Sequence, residues 1–303
     1  MKSIRNTLIV LAALYAGCIV YALVPQQSVP VESLAGKYSQ FINVNGRMLH
    51  FEKYGIGKPL VLVHGFAGST YTWRHVIPLL AQHHEVYAVD LPGFGLSDKP
   101  ADGNYLLQEQ AGMIIGFMDA LQLKTAALAG HSMGGVIVGM AAVKAPNKID
   151  KLIVIDAGYY HGGPPEFLKH LVFPFDIIMA RSFYTKGARS KSLVSSYYNT
   201  SLVTDEVLEN YLKPGRTPNA AAALARMLNT ATRESYHGIS TRITTPTLLI
   251  WARQDKPIPL TDGERLHQEI KGSQFLIIDN AGHMVQEEKP QEVAAAILKF
   301  LEH

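Results

Sequence analysis

Cysteine is almost absent from this chain: of its 303 residues only Cys18 carries a thiol, and it lies in an apolar N-terminal run. Beyond that run the sequence offers no disulfide, no thiol nucleophile and no cysteine-based zinc site. Charge of one sign is equally scarce. The 28 Lys and Arg against 25 Asp and Glu leave a formal net charge of +3, and no basic stripe carries interleaved aromatics. Nucleic acid is therefore not an expected partner. There is no internal repeat and no low-complexity tract. No feature points to a metal or a cofactor, and none fixes an oligomeric state. What the chain does have is apolar residues, 48% of the total. That fraction supports a large buried core and excludes a disordered chain. The length suits one large α/β domain with an insertion, or two small domains.

Lys2 and Arg5 precede an uncharged run over residues 7–24. As a helix this run is about 27 Å long, close to the hydrocarbon thickness of a bilayer. A cleaved signal peptide, with Val20-Tyr21-Ala22 as its processing site, is one explanation. A lipoprotein signal ending at Cys18 fits less well, because Tyr15 suits that pattern poorly and the run continues past the cysteine. An uncleaved signal anchor accounts best for the length. Basic residues before the run, and none just after it, place the globular part on the extracytoplasmic side, periplasmic in a bacterium. Residues 1–24 are thus read as anchor or signal. Residues 25–38 are read as a polar tether.

The remaining pattern alternates strands and helices. Residues 41–44 and 48–54 alternate apolar and polar around Asn45-Gly46, a strong hairpin signal. Continuous apolar runs at 60–63, 86–89, 126–129, 152–155, 247–251 and 275–278 suit strands buried on both faces of a parallel sheet. Helical stretches lie at 73–82, 105–121, 133–145, 260–270 and 290–301. The expected fold is α/β: a doubly wound, mostly parallel sheet of eight-stranded type, with antiparallel strands at one edge. The alternation breaks over residues 158–243, which are helix-like and rich in aromatics. This stretch is expected to form a helical cap after the sixth strand, over a core of residues 39–157 and 244–303. Ligands bind at the carboxyl edge that such a cap roofs.

Gly130-His131-Ser132-Met133-Gly134 follows one of these strands and opens a small-residue helix. The sharp turn of a G-x-S-x-G segment lifts the serine hydroxyl out at the carboxyl end of the strand. Glycines are needed two positions either side because side chains there would collide as strand and helix close. A serine hydroxyl needs an adjacent base, and the base an orienting acid. His283, just after the last apolar strand, emerges at the same sheet edge and is the best base. Asp255, in the loop after strand 247–251, is the best acid, and Asp156 at the end of the preceding strand is its rival. The order Ser132, Asp255, His283 is that of the α/β hydrolases. A tetrahedral intermediate needs two preorganised donors. They are expected from the backbone N–H of Met133 and of Phe66, within His64-Gly65-Phe66-Ala67-Gly68. Phe66, His131, Tyr159, His161 and Met284 are candidates to line the pocket. His64 is expected to pack or hydrogen-bond within its turn, and the remaining histidines, His50 among them, are expected in solvent.

Together with Asp90-Leu91-Pro92-Gly93-Phe94-Gly95-Leu96-Ser97, these motifs resemble the α/β-hydrolase superfamily over residues 41–301. The anchor followed by a His-Ser-Met-Gly-Gly elbow is similar to membrane-anchored monoacylglycerol lipases and bacterial lipases and esterases. The resemblance implies hydrolysis of short or medium acyl esters, or of a monoacylglycerol, through an acyl-enzyme without a cofactor. Haloalkane dehalogenases and epoxide hydrolases of the superfamily use aspartate where this chain has Ser132. The His-Gly-Gly-Pro-Gly pattern of proline iminopeptidases is absent. Carbon–carbon hydrolases, which often have Asn where this chain has His131, stay open as an alternative. So does a non-catalytic binding protein of the same fold, although a binder has no need of Ser132, Asp255 and His283 together.

Overall fold

In a computed structural model, describing residues 2–160, 166–230 and 237–302, eight strands form one sheet in the order β1-β2-β4-β3-β5-β6-β7-β8. The first two strands, β1 (Ser39–Val44) and β2 (Arg47–Tyr54), make the expected hairpin. Asn45 and Gly46 both have positive φ, 52° and 82°, which a two-residue hairpin turn of matching twist requires. β2 pairs antiparallel with β4 (His84–Val89), and from there every pairing is parallel. The parallel strands are β3 (Lys58–Val63), β4, β5 (Ala126–His131), β6 (Ile149–Ile155), β7 (Thr247–Ala252) and β8 (Gln274–Ile278).

Both faces of this sheet are covered, which is why its inner strands read as unbroken apolar runs. On one face Val61, Val63, Leu128 and Val154 pack under the helices Leu107–Ala120, Met133–Lys144 and Leu260–Glu269. On the other, Leu60, Leu62, Ala129 and Ile153 meet Trp73, Ile77 and Leu80, and also Val293, Ile297 and Phe300 of the helix Pro290–Glu302. The helix expected over 73–82 is broken into a 3-10 turn, Thr70–Trp73, and a short helix, Ile77–Leu80. Pro78 sits in the first turn of that short helix, where its missing N–H costs nothing and its ring disfavours helix before it.

The helical cap rises between β6 and β7. Its main helices are Phe175–Phe183, Lys186–Ser196, Asp205–Leu212 and Ala220–Thr230. Leu193, Tyr197, Val207, Leu208, Tyr211 and Leu212 form a small apolar cluster of their own, which reaches down to Met284. The N-terminal helix, Lys2–Leu23, lies outside this body. Its segment Ile4–Leu23 is long and apolar enough to cross a membrane and is only 6% buried. Its end touches the cap: Arg181 donates to the carbonyls of Tyr21, Ala22 and Val24.

Candidate active site

The turn after β5 is as tight as its sequence demands. Ser132 has φ 54° and ψ −120°, outside the regions that L-residues prefer, and its N–H is held by Ile155 O at 2.9 Å. A Cβ on Gly130 would stand 2.3 Å from Gly134 O, and one on Gly134 would stand 2.3 Å from Val63 O. No side chain fits either place: β5 meets the following helix backbone to backbone at Gly130, that helix meets the end of β3 at Gly134, and Ser132 sits in the strained turn between them.

Around Ser132 the fold assembles residues from three other loops. His283 Nε2 lies 3.0 Å from Ser132 Oγ, and its Nδ1 lies 2.7 Å from Asp255 Oδ2. Asp255 is buried, and its second oxygen accepts the Ile258 N–H at 2.8 Å. With the Nδ1 proton turned to the carboxylate, Nε2 is free to accept the serine proton. The arrangement can therefore raise the nucleophilicity of a hydroxyl. Of the two acids weighed in the sequence, Asp255 meets the histidine. Asp156 instead accepts the Ala252 N–H at 2.8 Å and is fully buried, its other oxygen without a hydrogen-bond partner. Burial, reinforced by the charge of Asp255, pushes the Asp156 carboxyl well above the usual carboxylate range.

The loop after β3 comes close to the nucleophile. A Cβ on Gly65 would lie 2.9 Å from Ser132 Cβ. His64 pins this loop: its Nδ1 donates to Gly65 O at 2.7 Å, and its Nε2 accepts the Leu91 N–H at 3.1 Å. Burial lowers the His64 pKa, so the neutral ring can play both parts. Neither the N–H of Phe66 nor that of Met133 donates to a protein acceptor among the described residues. Both are available to a developing oxyanion.

The cleft over Ser132 holds about 70 Å³, small beside typical ligand pockets. Phe66, His131 and Met284 line it, together with Thr72, Arg189 and Tyr211. His131 is spoken for, since its Nε2 donates to His283 O at 2.7 Å, and burial beside His283 drives its pKa well down. Tyr159 is not at the cleft. It is fully buried, with its hydroxyl donating to Gly135 O, because the absence of a side chain at Gly139 opens a slot for its ring beneath the elbow helix. His161 lies outside the described residues. His50 is also placed differently from expectation. It is buried, with Nδ1 2.7 Å from Asp90 Oδ2 and Nε2 2.8 Å from Ser39 Oγ. A larger concavity of about 480 Å³, between Asn45 and Asp119, has no nucleophile–base pair.

Residues that sequence reasoning passed over hold the cap down. Glu287 accepts from Thr72 at 3.1 Å and Tyr197 at 2.6 Å, and is paired with Tyr211 and Arg74. Glu288 accepts the N–H groups of Gly282, Tyr198 and Asn199 at 2.7–3.0 Å. Arg189, buried, donates to Ala67 O at 2.7 Å, its guanidinium between the rings of Phe183 and Tyr211. Two adjacent acids just after His283 were the available signal. The hydrogen-bond partners of Glu287 are 76 to 215 residues away in sequence.

A family described as alpha/beta hydrolase fold matches residues 58–290. An uncharacterised hydrolase of Bacillus subtilis is 31% identical over 85% of this chain and 96% of its own length. A 2-hydroxy-6-oxo-2,4-heptadienoate hydrolase of Pseudomonas putida is 29% identical over 82% and 90%. Among solved structures, a membrane phospholipase A described as a bacterial virulence factor superposes with a TM-score of 0.74 at 25% identity. That match covers 100% of this chain and 98% of the other.

Proposed function

The chain belongs to the α/β-hydrolase fold family, and from that premise we propose that it is a serine hydrolase of carboxylic esters, acting on short or medium acyl esters or monoacylglycerols. The observation that carries this reading is the continuous relay from Ser132 Oγ through His283 to Asp255, at 3.0 and 2.7 Å. Ser132 Oγ attacks the ester carbonyl carbon while His283 Nε2 takes its proton. The N–H groups of Phe66 and Met133 receive the oxyanion. As the tetrahedral intermediate collapses, the carbon–oxygen bond to the alcohol breaks and His283 returns the proton to the departing oxygen. Water then attacks the acyl-serine with His283 again as base, releasing the acid and restoring Ser132.

In this reading residues 4–23 anchor the enzyme, and the core of residues 39–157 and 244–303 works beyond the membrane under the cap of residues 158–243. Such tethering suits a lipid ester, and the likeness to a membrane phospholipase A supports it. A second reading, carbon–carbon bond hydrolysis, draws on the Pseudomonas putida relative and on Arg189. That buried cation beside Ser132 suits a substrate carrying a carboxylate. The test sets p-nitrophenyl esters and monoacylglycerols against a 2-hydroxy-6-oxo-dienoate, with fluorophosphonate labelling of Ser132. Turnover of esters with little turnover of the dienoate supports the first reading, and the reverse preference establishes the second. Failure of the probe to label Ser132 overturns both.

A further inference from the structure

We propose that the tip of the cap, formed by Phe167, Val172, Phe173, Phe175 and Met179, is immersed in the hydrocarbon of a lipid bilayer beside the N-terminal helix. The inference rests on the reading of residues 4–23 as a membrane span, and goes beyond it by fixing the depth of a second element.

Two contacts set the register between the N-terminal helix and the cap helix Phe175–Phe183. The rings of Tyr15 and Phe175 lie 6.1 Å apart. Arg181 grips the carbonyls that end the N-terminal helix, at Tyr21, Ala22 and Val24, and stacks over the Tyr21 ring. The cap helix therefore runs alongside the last turns of the span. Tyr15 is eight residues before Leu23, so at 1.5 Å per residue it lies about 12 Å below the helix end. A span whose end meets the edge of a hydrocarbon core about 30 Å thick carries Phe175 roughly 12 Å beneath that edge, and a modest tilt shortens this only slightly. Arg181 then stands at the boundary, where its charge reaches the headgroups.

The cap helix and the chain leading into it carry exposed apolar side chains: Val172 is 68% exposed, Phe167 59% and Phe175 45%, and Phe173 and Met179 are exposed as well. In water such a group of large apolar side chains is costly. Lipid is the occupant that the register selects, because the same medium must cover the rest of a span that is only 6% buried. The far end of the cap helix touches the cleft. Phe183 packs against Phe66 at 6.1 Å and under the Arg189 guanidinium. One helix thus leads from the acyl phase to the loop beside Ser132, a short route for a substrate that never leaves the bilayer.

The full chain is reconstituted in phosphatidylcholine vesicles, with a fluorophore on a single thiol: Cys18 itself, or Val172→Cys or Lys124→Cys in a Cys18→Ser background. Quenching by lipids brominated on the acyl chains is compared with quenching by aqueous iodide. The expected result is that positions 18 and 172 are quenched several-fold more by brominated lipid than position 124, and are shielded from iodide. Quenching of position 18 by lipid with position 172 open to iodide overturns the immersed cap and leaves the anchor standing. Iodide access at both positions overturns the anchor and the cap together. Protection of position 172 from both quenchers overturns lipid in favour of a second copy of the chain.

Discussion

The Tyr211 hydroxyl of the cap is hydrogen-bonded to the carboxylate of Glu287, four residues beyond His283. Thr72 and Arg74 of the core and Tyr197 of the cap share that buried carboxylate. Cap and histidine loop are thus fastened through one group, and the cap cannot lift without unpairing it. The cleft over Ser132 that this fastening closes on holds about 70 Å³.

Removing the charge weakens this fastening. Glu287→Gln is expected to cost about 2 kcal/mol, since a buried ion pair with Arg74 and charge-assisted bonds are lost together. Differential scanning calorimetry should show a Tm lower by several degrees. Tyr211→Phe should lower it by less, as a neutral partner leaves. An unchanged Tm in Glu287→Gln removes the carboxylate from this role.

Ser132→Ala should leave the fold intact, because the hydroxyl contributes no packing to the backbone contacts at Gly130 and Gly134. The loss in kcat on p-nitrophenyl esters should be on the order of four decades or more. A purified variant retaining a tenth of the parent rate means that another group is the nucleophile.

The two aspartates should separate sharply. Asp255→Asn is expected to lower kcat by about three to four decades, by upsetting the tautomer and charge that support His283. Asp156→Asn should stay within a few-fold of the parent, because His283 pairs with Asp255 while Asp156 bonds the Ala252 N–H. Its raised folded pKa also carries a sign. The folded chain keeps a proton that the unfolded chain releases above pH 3.8, so this stabilising contribution is lost as pH rises towards the folded value. Urea denaturation should show Asp156→Asn losing less stability than the parent between pH 4 and pH 7. Equal slopes would contradict a protonated Asp156.

Asp90 works in the opposite direction. Burial pushes its carboxyl up, but His50 and the Leu96 N–H pull harder and bring it down to about 2. A shift from 3.8 to about 2 is worth about 2 kcal/mol. That stability is complete well above pH 3.8 and is lost as pH falls through 3.8 towards 2. Asp90→Asn should show a correspondingly flatter acid limb in denaturation from pH 5 to pH 2. A limb as steep as the parent's would place the acid sensitivity elsewhere.

The parts of this molecule that were legible in its sequence are those set by local rules. Leu60 to Val63 announced a strand because both of its faces are buried. Asn45-Gly46 announced a turn because both residues accept positive φ. The elbow glycines announced a steric crossing. Contacts made only by tertiary closure were not legible. Nothing around His50 signals that Asp90 will lie beside it, and polar residues on an outer strand usually face water. Tyr159 read as a pocket residue because it follows β6. Its slot under the elbow helix exists only because residue 139 is a glycine on a different element. Arg189 was one basic residue among several until the fold set it between two rings, facing Ala67 O.

The backbone crossing at Gly130 and Gly134 divides the chain into stretches with different freedom to diverge. No larger residue fits where β5 meets its helix, so variation there is closed off regardless of which substrate is favoured. The cap helices carry no such restriction over most of their length. Mutational libraries seeking new acyl or alcohol preferences should therefore be spent on Phe183, Ser192, Leu193 and their neighbours, with the elbow left as it stands.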